Sequence, residues 1–245
     1  MPGRNVSDYG TLPPRVGYED MTAAGVQGVI FDMDGLMLDS QRLATDAWTR
    51  AVASLGYHLT EALNLQLLGR TPRDSDAILR AAFGVDFPVD AARDVARQLF
   101  RDLTPARGIP VKPGLGALLD FLEARDVRTA VATSSSRAAC VRHLQHANLL
   151  QRFAVLVCGD EVTSGKPAPE IFLTAASLLG IRPEACVVLE DSFAGIRAAH
   201  AAGMIPVMVP DLHPPDEDIR ALAYRVVPTL DQARDVIAAL LPAPH

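Results

Sequence analysis

A chain of 245 residues, 49% of them hydrophobic and 21% charged, is long enough for one large α/β domain or for a core with a smaller insert, and its composition argues against disordered and fibrous classes. The formal net charge of −6 argues against a nucleic-acid binder, which needs a basic face to neutralise phosphates, yet allows a small anion held by a local cluster. No uninterrupted apolar run approaches bilayer-spanning length, so a membrane partner is not expected either.

In chain order, residues 1–24 are rich in Gly, Pro and polar types and lack the apolar core of a secretion signal; they read as a flexible N-terminal arm. Val29-Ile30-Phe31 is an apolar run of strand formers, Asp32 and Asp34 follow it, and Gly35 permits a sharp turn. Ser40 then reads as a helix N-cap before apolar residues at helical spacing from Leu43 to Leu55, which Gly56 ends. Helical patterns recur around Glu61 to Leu68, Pro72 to Phe83, where Thr71-Pro72 fits a cap and first turn, and Asp90 to Leu103. No strand interrupts them, so this stretch reads as a helical insert that returns to the main domain near Val111-Lys112-Pro113-Gly114.

Helices and strands alternate from there. The pattern predicts helices at Leu115 to Arg125, Arg137 to Ala147, Glu170 to Leu179, Ala194 to Ala202 and Leu230 to Leu241. It predicts strands at Val127 to Thr133, Ala154 to Cys158, Ala185 to Leu189 and Ile205 to Val209. Such alternation indicates βαβ units and a parallel sheet. Cys140, Cys158 and Cys186 lie far apart without zinc-type spacing and read as free thiols in a reducing, cytoplasmic setting.

Polar groups gather at the ends of the predicted strands. Thr133-Ser134-Ser135-Ser136 follows one, Glu190-Asp191-Ser192 another, and Ser164-Gly165-Lys166-Pro167 lies in the loop after a third. Parallel strands bring such ends to one edge, where ligands of open α/β sheets bind. Each set has a plainer reading alone: the hydroxyls can cap a helix, the acids can answer a helix dipole, and Lys166 can be a solvated charge. Together they suit phosphoryl transfer, with carboxylates for Mg²⁺, a carboxylate nucleophile, a lysine and hydroxyls for the phosphoryl oxygens, and a second acid to move protons. His143 and His146 have a spacing that could bind metal, but Mg²⁺ prefers oxygen.

Asp32-Met33-Asp34-Gly35, Thr133-Ser134-Ser135, Gly165-Lys166-Pro167 with Pro169-Glu170, and Leu189-Glu190-Asp191-Ser192 with Ala194-Gly195-Ile196 resemble, in order, the motifs of the haloacid dehalogenase superfamily, in the subgroup of β-phosphoglucomutase-like phosphatases. The resemblance implies a Rossmann-like core (25–39 and 112–245) and an inserted helical cap (40–111). It implies Asp32 as nucleophile, Asp34 as general acid and base, and Thr133 and Lys166 as phosphoryl-group binders, with Ser134 and Ser135 beside them. Mg²⁺ would be held by the Asp32 carboxylate, the Asp34 carbonyl and Asp191, with Glu190 as a further candidate. In the cap, Arg70 and Arg73 are candidates for contacting a sugar hydroxyl or a second anionic group, against a plainer role as solvated arginines. The mutase pattern has a histidine where this chain has Ala44, and a dehalogenase has no acid at Asp34. Hydrolysis of a small phosphorylated metabolite, a sugar phosphate foremost, is therefore expected, from a monomer or weak dimer; the alternatives are a phosphosugar mutase and a non-catalytic binding protein of the same fold.

Overall fold

The structure is a computed structural model that describes Tyr18 and residues 25–104 and 108–241; most of the expected N-terminal arm, and the Pro-rich C-terminus past residue 241, lie outside these. Six strands form one wholly parallel sheet: β1 (Gly28–Phe31), β2 (Arg128–Thr133), β3 (Val155–Cys158), β4 (Cys186–Glu190), β5 (Ile205–Met208) and β6 (Arg225–Val226), in the order β3-β2-β1-β4-β5-β6. Strand order reverses between β1 and β4, which makes that pair the topological switch point and its carboxyl edge the crevice.

β1 is buried on both faces, and period-2 alternation divides its side chains between two cores. Val29 and Phe31 join Val131, Val187, Leu189, Ile205 and Val207 on one face. That core is closed by α5 (Leu115–Glu123), α6 (Arg137–His146) and α10 (Leu230–Leu240) through Leu118, Leu122, Leu144, Ala233 and Ile237. Ile30 faces the other way with Ala130, Ala132 and Val188, against α7 (Glu170–Leu179) and α8 (Phe193–Ala201). Ile171, Phe172, Ala175 and Ala176 supply the α7 side of this packing. Burying a Phe or Ile side chain contributes on the order of 1.5–3 kcal/mol, so this two-sided strand is a main determinant of the core.

Between β1 and α5 lie four helices, α1 (Gln41–Ser54), α2 (Glu61–Leu67), α3 (Pro72–Phe83) and α4 (Val89–Leu103). They enclose their own apolar cluster of Val52, Leu59, Leu63, Leu79, Phe87, Val89 and Ala92, to which Tyr57 and Phe83 add ring contacts with Phe87 at 4.9 Å each. The two chain crossings into this helical cap pair with each other. Leu38 bridges Val111 in antiparallel fashion, Asp39 N–H donates to the Pro110 carbonyl (2.9 Å), and Lys112 N–H donates to that of Met37 (2.8 Å). Lys112 Nζ adds ion pairs to Asp211 (2.5 Å) and Asp39 (3.4 Å).

The architecture is the expected α/β core with a helical insert, and three differences in detail have physical causes. Strands β2, β3 and β4 each start one residue later than the apolar pattern indicates: Val127 N–H donates back to the Leu122 carbonyl, Ala154 is exposed and precedes the first ladder pair, and Ala185 ends a 3₁₀ turn. A short helix, α9 (Glu217–Leu222), capped by Asp216, and the two-residue β6 follow the Pro210 to Pro215 run and were not expected. Ser40 does not cap α1: its backbone is α-helical and its side chain makes no cap bond. Thr71, by contrast, accepts from Asp74 N–H and caps α3 as expected. Tyr18, within the expected arm, is buried and donates its hydroxyl to the Leu222 carbonyl (2.8 Å).

Candidate active site

Parallel register puts the chemistry at one level. Phe31 pairs with Val131 on one side and with Leu189 on the other, so one step further along the three strands stand Asp32, Ala132 and Glu190. Lys166 spans all three: its Nζ donates to Asp32 Oδ1 (2.5 Å), the Ala132 carbonyl (3.0 Å) and Glu190 Oε1 (2.6 Å). Its side chain is 0% exposed and lies 4.9 Å from the centre of the Phe172 ring. A lysine so enclosed is a fixed charge built into the site.

Glu190 is equally enclosed. Its Oε2 accepts from the N–H groups of Asp191 (2.9 Å) and Ser192 (2.8 Å) and from Ser192 Oγ (2.9 Å), so with Lys166 on Oε1 both oxygens have protein donors. Gly195, in the first turn of α8, leaves the space; a Cβ there would lie 1.8 Å from Glu190 Oε1. Ser192 also caps α8 by accepting from Gly195 N–H (3.0 Å). Asp191 differs, because its Oδ1 is buried with no hydrogen-bond partner and its Oδ2 accepts from Gln41 Nε2 (2.6 Å). The same amide nitrogen donates to the Asp34 carbonyl (3.2 Å).

Asp34 faces the hydroxyls. Its Oδ1 accepts from Ser40 Oγ (2.8 Å), and its Oδ2 from Ser135 Oγ (2.7 Å) and, at the limit of hydrogen bonding, Thr133 Oγ1 (3.5 Å). Ser135 N–H donates to Thr133 Oγ1 (3.1 Å), while Ser136 caps α6 through Ala139 N–H. The hydroxyl run thus divides its work: its last member is a helix cap, and two earlier ones address Asp34.

Three buried carboxylates, Asp32, Glu190 and Asp191, have ligand atoms within 4.8 Å of one another and share a single ammonium. Burial, opposed by Lys166 but reinforced by the charges of Glu190 and Asp34, pushes the Asp32 carboxyl up to about 7. Burial, with Glu190, Asp32 and Asp211 nearby, holds Asp191 well above the usual carboxylate range. Burial alone would lower the Lys166 ammonium, but the charges of Asp32 and Glu190 outweigh it and raise it. Burial thus raises both carboxyls, an excess of negative charge around one cation adds to the rise, and at that cation the same excess outweighs burial.

That excess suits a divalent cation with oxygen ligands. The donors fit: the orphaned Asp191 Oδ1, the Asp32 carboxylate, and the Asp34 carbonyl, now engaged by an N–H donor. Gly35, at φ +91°, clears the approach, since a Cβ there would lie 2.2 Å from Asp191 Oδ2. His143 is not in this group, and its Nδ1 is buried and unpartnered.

The loop between α2 and α3 closes on the site. Ser134 Oγ donates to the Gly69 carbonyl (2.7 Å) and Arg70 Nη1 to the Lys166 carbonyl (3.1 Å), while Arg70 Nε is buried without a partner. Ser134 thereby ties core to insert. Arg73 lies further out and exposed, on a cleft of about 270 Å³ that Thr71, Asp74, Asp160 and Gly165 also line. Gln41, and Ser40 as a partner of Asp34, are site residues the sequence reading missed; the signal available was a polar pair directly after Asp39, which reads as a helix cap.

The family of haloacid dehalogenase-like hydrolases matches residues 26–203. A phosphorylated carbohydrates phosphatase of Thermotoga maritima is 32% identical over 183 residues, 73% of this chain and 82% of that protein. A β-phosphoglucomutase of Bacillus subtilis is 30% identical over 194 residues, 75% and 83% of the two chains. The crystal structure of a β-phosphoglucomutase from Clostridium difficile superposes with a TM-score of 0.72 at 24% identity, over 88% of this chain and 97% of that one, a likeness of fold. With its core motifs and most of its length matched in this way, the chain belongs to the haloacid dehalogenase-like hydrolase family.

Proposed function

We propose that the chain is a Mg²⁺-dependent phosphomonoester hydrolase that acts on small phosphorylated metabolites, sugar phosphates foremost, through an aspartyl-phosphate intermediate. The observation that carries this reading is the Asp32 carboxylate, fixed by the buried Lys166 beside an Asp191 oxygen that has no partner. The name of the Thermotoga maritima relative supports the substrate class.

Asp32 attacks the phosphorus; a bond from its carboxylate to phosphorus forms as the ester P–O bond breaks. Asp34, oriented by Ser40 and Ser135, gives its proton to the leaving oxygen. In the second half a water attacks the acyl phosphate, Asp34 takes its proton, and the bond to Asp32 breaks to release phosphate. Lys166 and Thr133 hold the phosphoryl oxygens, and Asp32, the Asp34 carbonyl and Asp191 hold Mg²⁺. When bound, the ion neutralises charge on the phosphoryl oxygens and the nucleophile. Glu190 acts through Lys166 and through the backbone turn at Asp191 and Ser192, which it fixes. The helical cap covers the leaving group, with Arg70 and Arg73 as its candidate contacts.

A phosphate-release screen over sugar phosphates, phosphoglycolate and nucleotides, with and without MgCl₂, tests the reading. Turnover is expected with Mg²⁺ and none in Asp32→Asn; folded protein inert on the whole panel, or an active Asp32→Asn, overturns it. Conversion of a sugar 1-phosphate to its 6-phosphate in the presence of bisphosphate would establish the mutase activity for which the Bacillus subtilis relative is named.

A further inference from the structure

Lys112 lies where the chain returns from the helical insert, and its side chain reaches to the loop after β5. Its Nζ donates to Asp211 Oδ1 in that loop (2.5 Å) and lies 3.4 Å from Asp39 Oδ1 on the outgoing crossing. Asp211 is the buried member of the three, with a side chain 5% exposed. Its Oδ2 and Asp39 Oδ1 are buried without a hydrogen-bond partner, so one ammonium serves two carboxylates that are each half satisfied.

Both ends of this clasp lead to groups of the site. On one side, Lys112 N–H donates to the Met37 carbonyl (2.8 Å), and Val111 bridges Leu38. Leu38 in turn bridges Asp34, its carbonyl accepts from Gly35 N–H (2.8 Å), and its N–H donates to the Met33 carbonyl (3.1 Å). The turn that carries Asp34 is therefore bonded to the returning crossing. On the other side, the loop that carries Asp211 begins at Val209, whose N–H donates to the Glu190 carbonyl (2.7 Å), directly before Asp191.

We propose that Lys112 is a positioning residue, whose ion pair with Asp211 fixes the returning crossing and thereby the stance of Asp34 toward the Glu190–Asp191 turn. The proposal rests on the reading of Asp34 as the group that protonates the leaving oxygen. Without the ammonium, Asp211 is left as a buried charge that has lost its cation, and the crossing loses its attachment on the β5 side. An acid that must stand within hydrogen-bonding distance of the leaving oxygen is sensitive to such a shift. Leaving groups differ in their need of it: a sugar alkoxide must be protonated as it departs, whereas acetate departs from acetyl phosphate as a stable anion.

The test has two readouts on full-length protein. One is hydrogen–deuterium exchange; the other is single-turnover release of the leaving group in MgCl₂, from acetyl phosphate and from the sugar phosphate turned over fastest in the phosphate-release screen. Lys112→Met keeps the stem without the charge. Asp211→Asn removes the pair from the other side and leaves no carboxylate buried there, so it serves if Lys112→Met does not melt cooperatively. Either is expected to exchange the amides at positions 39 and 112 about tenfold faster than wild type. Sugar release should fall about tenfold, with acetate release within about twofold of wild type. Unchanged exchange at both positions overturns the clasp. Faster exchange with sugar and acetate release falling alike, as general loosening of the fold would give, or with neither falling, overturns the positioning of Asp34. Wild-type protein inert on acetyl phosphate and on the whole screen overturns the hydrolase reading itself, and the exchange result separates that failure from a failure of the clasp.

Discussion

At the scale of single residues, the site turns on one lysine answering several acids. Lys166→Met would keep the stem but leave Asp32, Glu190 and Asp191 buried together without a cation; breaking a buried ion pair from one side costs about 3–5 kcal/mol. Asp32 and Asp191 would then sit still further above their unfolded values. That penalty is full above the folded pKa values and vanishes below the unfolded ones, so the deficit should shrink as pH falls from 8 toward 4. Urea melts at several pH values would show this, and a deficit constant with pH would mean that the lost packing, including that against Phe172, dominates. The acids and the lysine were legible in the sequence because each follows an apolar strand in a recognisable motif. Ser40 and Gln41 were not, since polar residues at a helix start read as caps, and only the fold shows that they turn back to Asp34 and Asp191.

At the scale of elements, the chemistry depends on how the α2–α3 loop meets the core, and glycines set that distance. A Cβ on Gly165 would lie 2.3 Å from Thr71 Cγ2 and 2.6 Å from Asp74 Oδ2, so Gly165→Ala pushes the N-terminus of α3 away from Lys166. A misplacement on the order of 1 Å can cost up to about a hundredfold in rate. The expected result is a fall of roughly tenfold or more in kcat/KM with little change in the unfolding midpoint, because the sheet cores are untouched. A kcat/KM equal to wild type would show that the loop yields freely. The long elements were readable from periodicity, as Leu118, Leu119 and Leu122 illustrate in α5. Six-residue α9 and two-residue β6 are too short to carry a period, and a proline run precedes them. The close approach of insert and core was not readable either, since a glycine in sequence does not say what it makes room for.

At the scale of the whole molecule, an anionic pocket at the β1–β4 switch point makes stability depend on pH and, on the proposed Mg²⁺ assignment, on metal as well. Asp32, raised from 3.8 to about 7, and Asp191, raised in the same direction, bind protons more tightly in the folded protein than in the unfolded chain. Their contribution without metal is therefore neutral below about pH 4, where both states are protonated. It becomes increasingly destabilising as pH rises toward 7, and it stays so above. The proposed Mg²⁺ would bind the deprotonated carboxylates and would have to displace those protons at low pH, so its stabilising effect should grow over the same window. At a free concentration about a hundredfold above Kd, a ligand stabilises by roughly 2.7 kcal/mol, which for a chain of this size corresponds to about 5–10 °C in Tm. Scanning calorimetry in MgCl₂ and in EDTA at pH 5, 6.5 and 8 should give that shift at pH 8, less at 6.5 and little at 5. A shift independent of pH would place the ion on groups other than Asp32 and Asp191, and no shift at any pH would remove Mg²⁺ from the site.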